Sequence, residues 1–91
     1  MAHNLEGSSV ALLVGCLDFA MEMGNDDGNA EKCAQVLTTL ASLNRFDVTL
    51  MFMDSVEKLK LKEIVDKISK SSKLSDLAKK NLRNSFDKRL K

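Results

Sequence analysis

Apolar positions along this chain recur at intervals of three and four residues, the spacing that places them on one side of an α-helix. Ser8 and Ser9 are suited to cap a first helix running to about Met23. Val10, Leu13, Val14, Leu17, Ala20 and Met21 make one stripe along it. Leu12, Cys16, Phe19 and Met23 make a second, which predicts burial on two sides. The segment Gly24–Asn29 is the strongest loop signal, with Gly24 placed to end the helix and Asp27 or Asn29 to cap the next. A second helix is predicted over Ala30–Leu43, apolar on one face through Cys33, Val36, Leu37, Leu40 and Ala41. After a turn at Asn44–Asp47, Thr49 is placed to cap a short third helix. Its unbroken run Leu50, Met51, Phe52 and Met53 reads as a buried turn. A fourth helix, about Glu57–Ser69, carries Leu61, Ile64, Val65 and Ile68 inward and Lys58, Lys60, Lys62 and Lys67 outward. Lys70–Lys73 is a polar break. Ser75 then caps a last helix whose stripe is Leu77, Ala78, Leu82, Phe86 and Leu90.

Composition agrees with this pattern. The chain has 91 residues, no Pro, four Gly and 44% hydrophobic residues, which indicates one folded domain rather than a disordered segment. A chain this small buries roughly 60–65% of its unfolded surface, enough for a single core. Sandwiches and barrels need frequent turn residues that are scarce here, so the expected class is all-α with about five helices. Residues 1–9 are expected to be a flexible N-terminal segment and 10–91 the bundle. No run approaches the ~18 apolar residues of a membrane span, and no signal peptide is recognisable. Cys16 and Cys33 lack the spacing of a metal site and read as buried free thiols.

Charge changes the picture more. The net charge is only +1, yet residues 1–57 hold nine acids and two bases, and residues 58–91 hold twelve bases and four acids. The halves carry −7 and +8. Either the two signs screen each other across the bundle, or a basic face is kept for nucleic acid or an acidic peptide. Catalysis is not expected. His3 is the sole histidine and sits in the terminal segment, and no Gly-rich phosphate loop is present. Asp26 and Asp27 lack the further oxygen ligands of a calcium loop, so neither a metal nor a cofactor is expected. A carrier-protein site would need an exposed serine at a helix start within an acidic patch, and Ser8, Ser9 and Ser75 are accounted for as caps.

The order of these segments resembles the N-terminal domain of elongation factor TFIIS, also called the LW domain. "NAEKCAQVLTTLASL" (Asn29–Leu43) resembles the family's second helix, and "NRFDVT" (Asn44–Thr49) its turn into the third. "LKEIVDKISK" (Leu61–Lys70) resembles the basic fourth helix and "LSDLAKKNLRNSFDKRL" (Leu74–Leu90) the closing segment. The chain lacks Trp near Phe86 and carries "SVEKLKLKE" where the TFIIS branch has T-x-I-G-K. Both features move the resemblance towards the integrase-binding-like branch, typified by LEDGF.

The resemblance implies a compact right-handed bundle and a docking module of the nuclear transcription-elongation or chromatin machinery. It implies partners that are disordered linear motifs, acidic with paired aromatics, held between the loops Gly24–Asn29 and Ser69–Lys73. The partner-binding residues are then Asn25, Asp26, Asp27, Lys67, Ile68, Lys70, Lys73 and Leu74. Asp26 would accept N–H groups of the ligand, the lysines would steer its acidic flanks, and Ile68 or Leu74 would wall the pocket. The domain alone is expected to be a monomer that does not engage membranes. The alternative is a nucleic-acid-binding domain using the basic C-terminal half, at least through weak phosphate contact. Against it, Phe19, Phe46, Phe52 and Phe86 all sit in or beside apolar patterns and provide no stacking platform among the lysines.

Overall fold

Helix α1 spans Ala2–Met23, α2 Ala30–Ala41, α3 Phe46–Phe52, α4 Ser55–Ser69 and α5 Asp76–Phe86, with a 3₁₀ turn at Asp27–Asn29 between the first two. This computed structural model describes residues 2–89, with side chains from Val10 onward. Among the described residues no strand forms, and the all-α class follows. The side chains of the expected flexible segment 1–9, His3 included, and Leu90 lie outside the described residues.

Side-chain caps set the starts of α4 and α5. The Asp54 side chain accepts the Glu57 N–H at 2.8 Å and starts α4 two residues before the predicted position. Ser75 accepts the Ala78 N–H at 3.2 Å and starts α5 as predicted. Two expected caps are corrected. Ser8 and Ser9 fall inside α1, whose backbone is helical from Ala2. Thr49 lies inside α3, where its buried hydroxyl donates back to the Arg45 carbonyl at 2.7 Å. Arg45 occupies the cap position of α3 without a side-chain cap bond.

Helix α2 is the centre of the bundle, packed against α1, α3, α4 and α5. Its buried residues, Ala30, Cys33, Ala34, Leu37, Leu40 and Ala41, are mostly small, so the flanking helices come close. Leu17, Leu37, Leu61, Leu82, Phe46 and Phe86 fill the space between them. Each such side chain contributes about 1.5–3 kcal/mol through removal from water. Phe46 meets Phe86 edge to face, 5.6 Å between centroids and 84° between planes, joining α3 to α5. In α5 the stripe needs one correction. Leu77 stands about 140° around the helix from Leu82 and faces solvent. Leu74, ahead of the cap, takes a buried place instead.

Gly24 has a different job from the one predicted. No glycine described here has positive φ, so Gly24 does not supply a left-handed helix end. It supplies space. A Cβ at Gly24 would stand 2.6 Å from Ile64 Cγ2 and 3.2 Å from Cys33 Sγ, where α4 and α2 close on the end of α1. Gly24→Ala is therefore expected to destabilise the domain by about 1–3 kcal/mol, measured by urea unfolding. Gly15, mid-helix with nothing within 4 Å of its Cβ position, is the contrast. Gly15→Ala is expected to stabilise by about 0.5–1 kcal/mol in the same assay.

Candidate functional site

The two loops singled out from sequence do meet, but they fasten to each other. Lys67 Nζ donates to the Asn25 carbonyl at 3.3 Å. The Ser71 hydroxyl donates to Asp27 Oδ1 at 2.5 Å and accepts the Lys73 N–H at 3.2 Å. Asp26 is turned to its own loop, accepting from Gly28 N–H at 3.0 Å and, weakly, from Asn29 Nδ2 at 3.5 Å. Lys70 pairs with Asp66 at 3.0 Å one turn away, an exposed pair that adds little. Ile68 and Leu74 are 2% and 4% exposed, sunk in the core. Neither presents a wall to a ligand, because the turns of α4 that bury Leu61 and Val65 carry Ile68 to the same side. Ser71, the serine that ties the loops, gave no sequence signal beyond its place in a polar break. Ser71→Ala is expected to lower stability by about 1 kcal/mol in urea unfolding, because water can replace the lost partner of the exposed Asp27.

Open apolar surface lies elsewhere, at two places predicted to be buried. On α1 the second stripe is not covered. Leu12 and Phe19 are exposed and Cys16 and Met23 half-buried, and Val36 of α2 completes a shallow apolar strip with Gly15. Helices α2, α3 and α4 cover the other side of α1. At the α3–α4 junction the run Leu50–Met53 divides. Leu50 and Met53 are buried, while Met51 and Phe52 are 79% and 72% exposed. Leu50, Met51 and Phe52 sweep about 200° around α3, so a helix resting on a core cannot bury them all, and Met53 follows in extended backbone at the C-cap. Val56 and Leu59, at the start of α4, are exposed beside them and extend the apolar corner.

A groove of about 550 Å³ adjoins this corner. It shares Met51 and Leu59 with the corner, and its lining adds Leu50, Lys58, Lys62, Arg89 and Asp47. Arg89 is held by three contacts. Its Nε donates to Asp47 Oδ1 at 2.8 Å, its Nη1 to the Ser85 carbonyl at 2.8 Å, and its guanidinium lies 5.2 Å over the Phe46 ring. Lys62 and Leu59 also line a second cleft of about 410 Å³ between α4 and α5.

The thiols differ. Cys33 is buried and donates to the Ala20 carbonyl at 3.0 Å, and burial pushes its pKa up to about 11. Cys16 is half-buried rather than buried as expected. In the native domain Cys16 should react with a thiol reagent at pH 8 while Cys33 stays unmodified until urea unfolds the chain, as read by mass spectrometry. The raised folded pKa also has a stability consequence. The neutral Cys33 thiol favours the fold below the unfolded thiol pKa, and that contribution is lost as pH rises towards about 11. Among the described residues, no three His, Cys, Asp or Glu side chains gather as metal ligands would. Among them too, no helix is long and apolar enough to cross a membrane.

The family model described as "Potential Monad-binding region of RPAP3" matches residues 1–58. No curated protein and no solved structure matches the chain. The match overturns the resemblance to the TFIIS N-terminal domain, because residues 1–58 include both "NAEKCAQVLTTLASL" and "NRFDVT", two of the segments that suggested it. Amphipathic helices of similar length joined by short turns recur in unrelated bundles, so their order carried the fold and not the family. The nuclear setting and the elongation role were drawn from that resemblance and are not carried further, and the ligand it implied at the two loops loses that support. The match extends from α1 to the first turn of α4, well over half of the chain, and the protein belongs to the family of the potential Monad-binding region of RPAP3.

Proposed function

We propose that this domain is a non-catalytic protein-docking module whose docking face is the apolar corner Met51, Phe52, Val56 and Leu59. One observation carries this. Among the described residues, eight large hydrophobic side chains are exposed, and six of them (Leu12, Phe19, Leu43, Met51, Phe52 and Val56) fall within the family-matched residues 1–58. A stretch that spends so many apolar residues on its surface fits a binding region, which is how the family is described. Three of the six belong to the corner, where two helices meet and several side chains can enter one partner together. An exposed Phe flanked by Met, Val and Leu has the composition of an interface centre. Monad, the protein in the family's description, is the first partner to test. The domain is a monomer in its absence.

Calorimetric titration of Monad into the monomeric domain tests this. Phe52→Lys should weaken binding by at least about tenfold, the loss typical of an interface anchor. Phe19→Lys, on the α1 strip, should change it by less than about threefold. Both side chains are exposed, so circular dichroism should show both variants folded. Absence of binding by the unaltered domain overturns Monad as partner, and loss through Phe19→Lys alone overturns the corner as docking face.

A further inference from the structure

Building on the docking role of the neighbouring corner, we propose that the groove between α3, α4 and the end of α5 takes an acidic segment of the partner that carries a bulky apolar side chain. Leu50, Met51 and Leu59 give the groove an apolar lining that would hold one such side chain. Around it stand three cations, Lys58, Lys62 and Arg89, against one acid, Asp47. Arg89 already occupies that acid at 2.8 Å. Among the described residues neither Lys58 nor Lys62 has a carboxylate within ion-pairing distance, so both are available to a partner.

The rest of the surface gives the groove its selectivity. Residues 1–58 hold nine acids and three bases, whereas residues 59–91 hold eleven bases and four acids. The family-matched part is therefore acidic, and the groove is where Lys62 and Arg89, from the basic part beyond it, join Lys58 against α3. On the other side of α4, the cleft shared with α1 is lined by Asp18, Glu22, Glu57 and Glu63 against Lys60 alone. An acidic segment is repelled there and attracted to the α3 side of the same helix. Past Lys62 the cleft towards α5 carries Glu63, Asp66 and Asp87 against Arg83, so the excess of cations is at the α3 end. The exposed lysines raise encounter rate and discriminate between segments, while the apolar lining supplies most of the affinity.

The test uses the full chain and a fluorescein-labelled peptide of Asp and Glu around one Phe and one Leu, read by anisotropy. A copy with every acid replaced by its amide should bind at least about fivefold more weakly. Lys58→Glu with Lys62→Glu should reduce binding of the acidic peptide by at least about tenfold, and Lys60→Glu should leave it within about twofold. Equal binding of both peptides, or indifference to the double substitution, overturns the proposal. So does tight binding of a labelled DNA duplex that weakens steeply with salt and is lost in the double variant while the peptide does not bind. The Monad titration separates the two ideas. If Phe52→Lys abolishes Monad binding and the lysine substitutions do not touch it, the groove fails and the docking face stands. If the peptide binds with the stated charge dependence and Phe52→Lys leaves Monad unaffected, the corner fails and the groove stands.

Discussion

Helix α2 packs against every other α-helix of the domain, and the remaining architecture follows from that contact. Its inner surface is built from Ala30, Cys33, Ala34 and Ala41 with Leu37 and Leu40, so four helices converge on one short rod. Small side chains keep the separations short, and the larger residues of the neighbours fill what remains. Gly24 belongs to the same constraint. Helix α1 leaves the bundle between Ile64 of α4 and Cys33 of α2, through a space without room for a methyl group.

A core organised around one central helix leaves its partners half covered. α1 gives one side to α2, α3 and α4 and turns Leu12 and Phe19 outward. α3, only seven residues long, buries Phe46, Thr49 and Leu50 and must expose Met51 and Phe52. Nothing about the fold requires large hydrophobic residues at those exposed positions, and polar ones would serve the core equally well. Their presence fits the docking role proposed above, in a family described by a binding region.

Electrostatics divides the surface along a different line. The Arg89 side chain crosses from the end of α5 to Asp47 on α3 and lies over Phe46, which itself packs on Phe86. This arrangement ties the last turn of the chain to the third helix and sets a fixed cation at the mouth of the groove. Lys58 and Lys62 stand one turn apart on α4, on the same side of the helix. The acids of α1 face the opposite side of α4 with Glu57 and Glu63. The near-neutral total of +1 thus conceals two surfaces of opposite sign on either side of one helix.

Helix number, approximate helix positions, the Ser75 cap and the inward stripe of α4 were legible in the sequence, because they depend on local capping and on a period of 3.6 residues. The charge division was legible for the same reason, being a property of residue order alone. Which apolar face would be covered was not. Leu12 and Leu13, or Phe52 and Met53, look alike as hydrophobic residues, and only the placement of α2, α3 and α4 decides which is buried. That the two predicted binding loops fasten to each other was not legible for a related reason. Asp27 and Ser71 are 44 positions apart, and the hydrogen bond that fastens them exists only once α1, α2 and α4 have packed. Sequence determined the helices and their charges, whereas tertiary packing chose which apolar surface stays exposed, because burial is settled by neighbours distant in the chain.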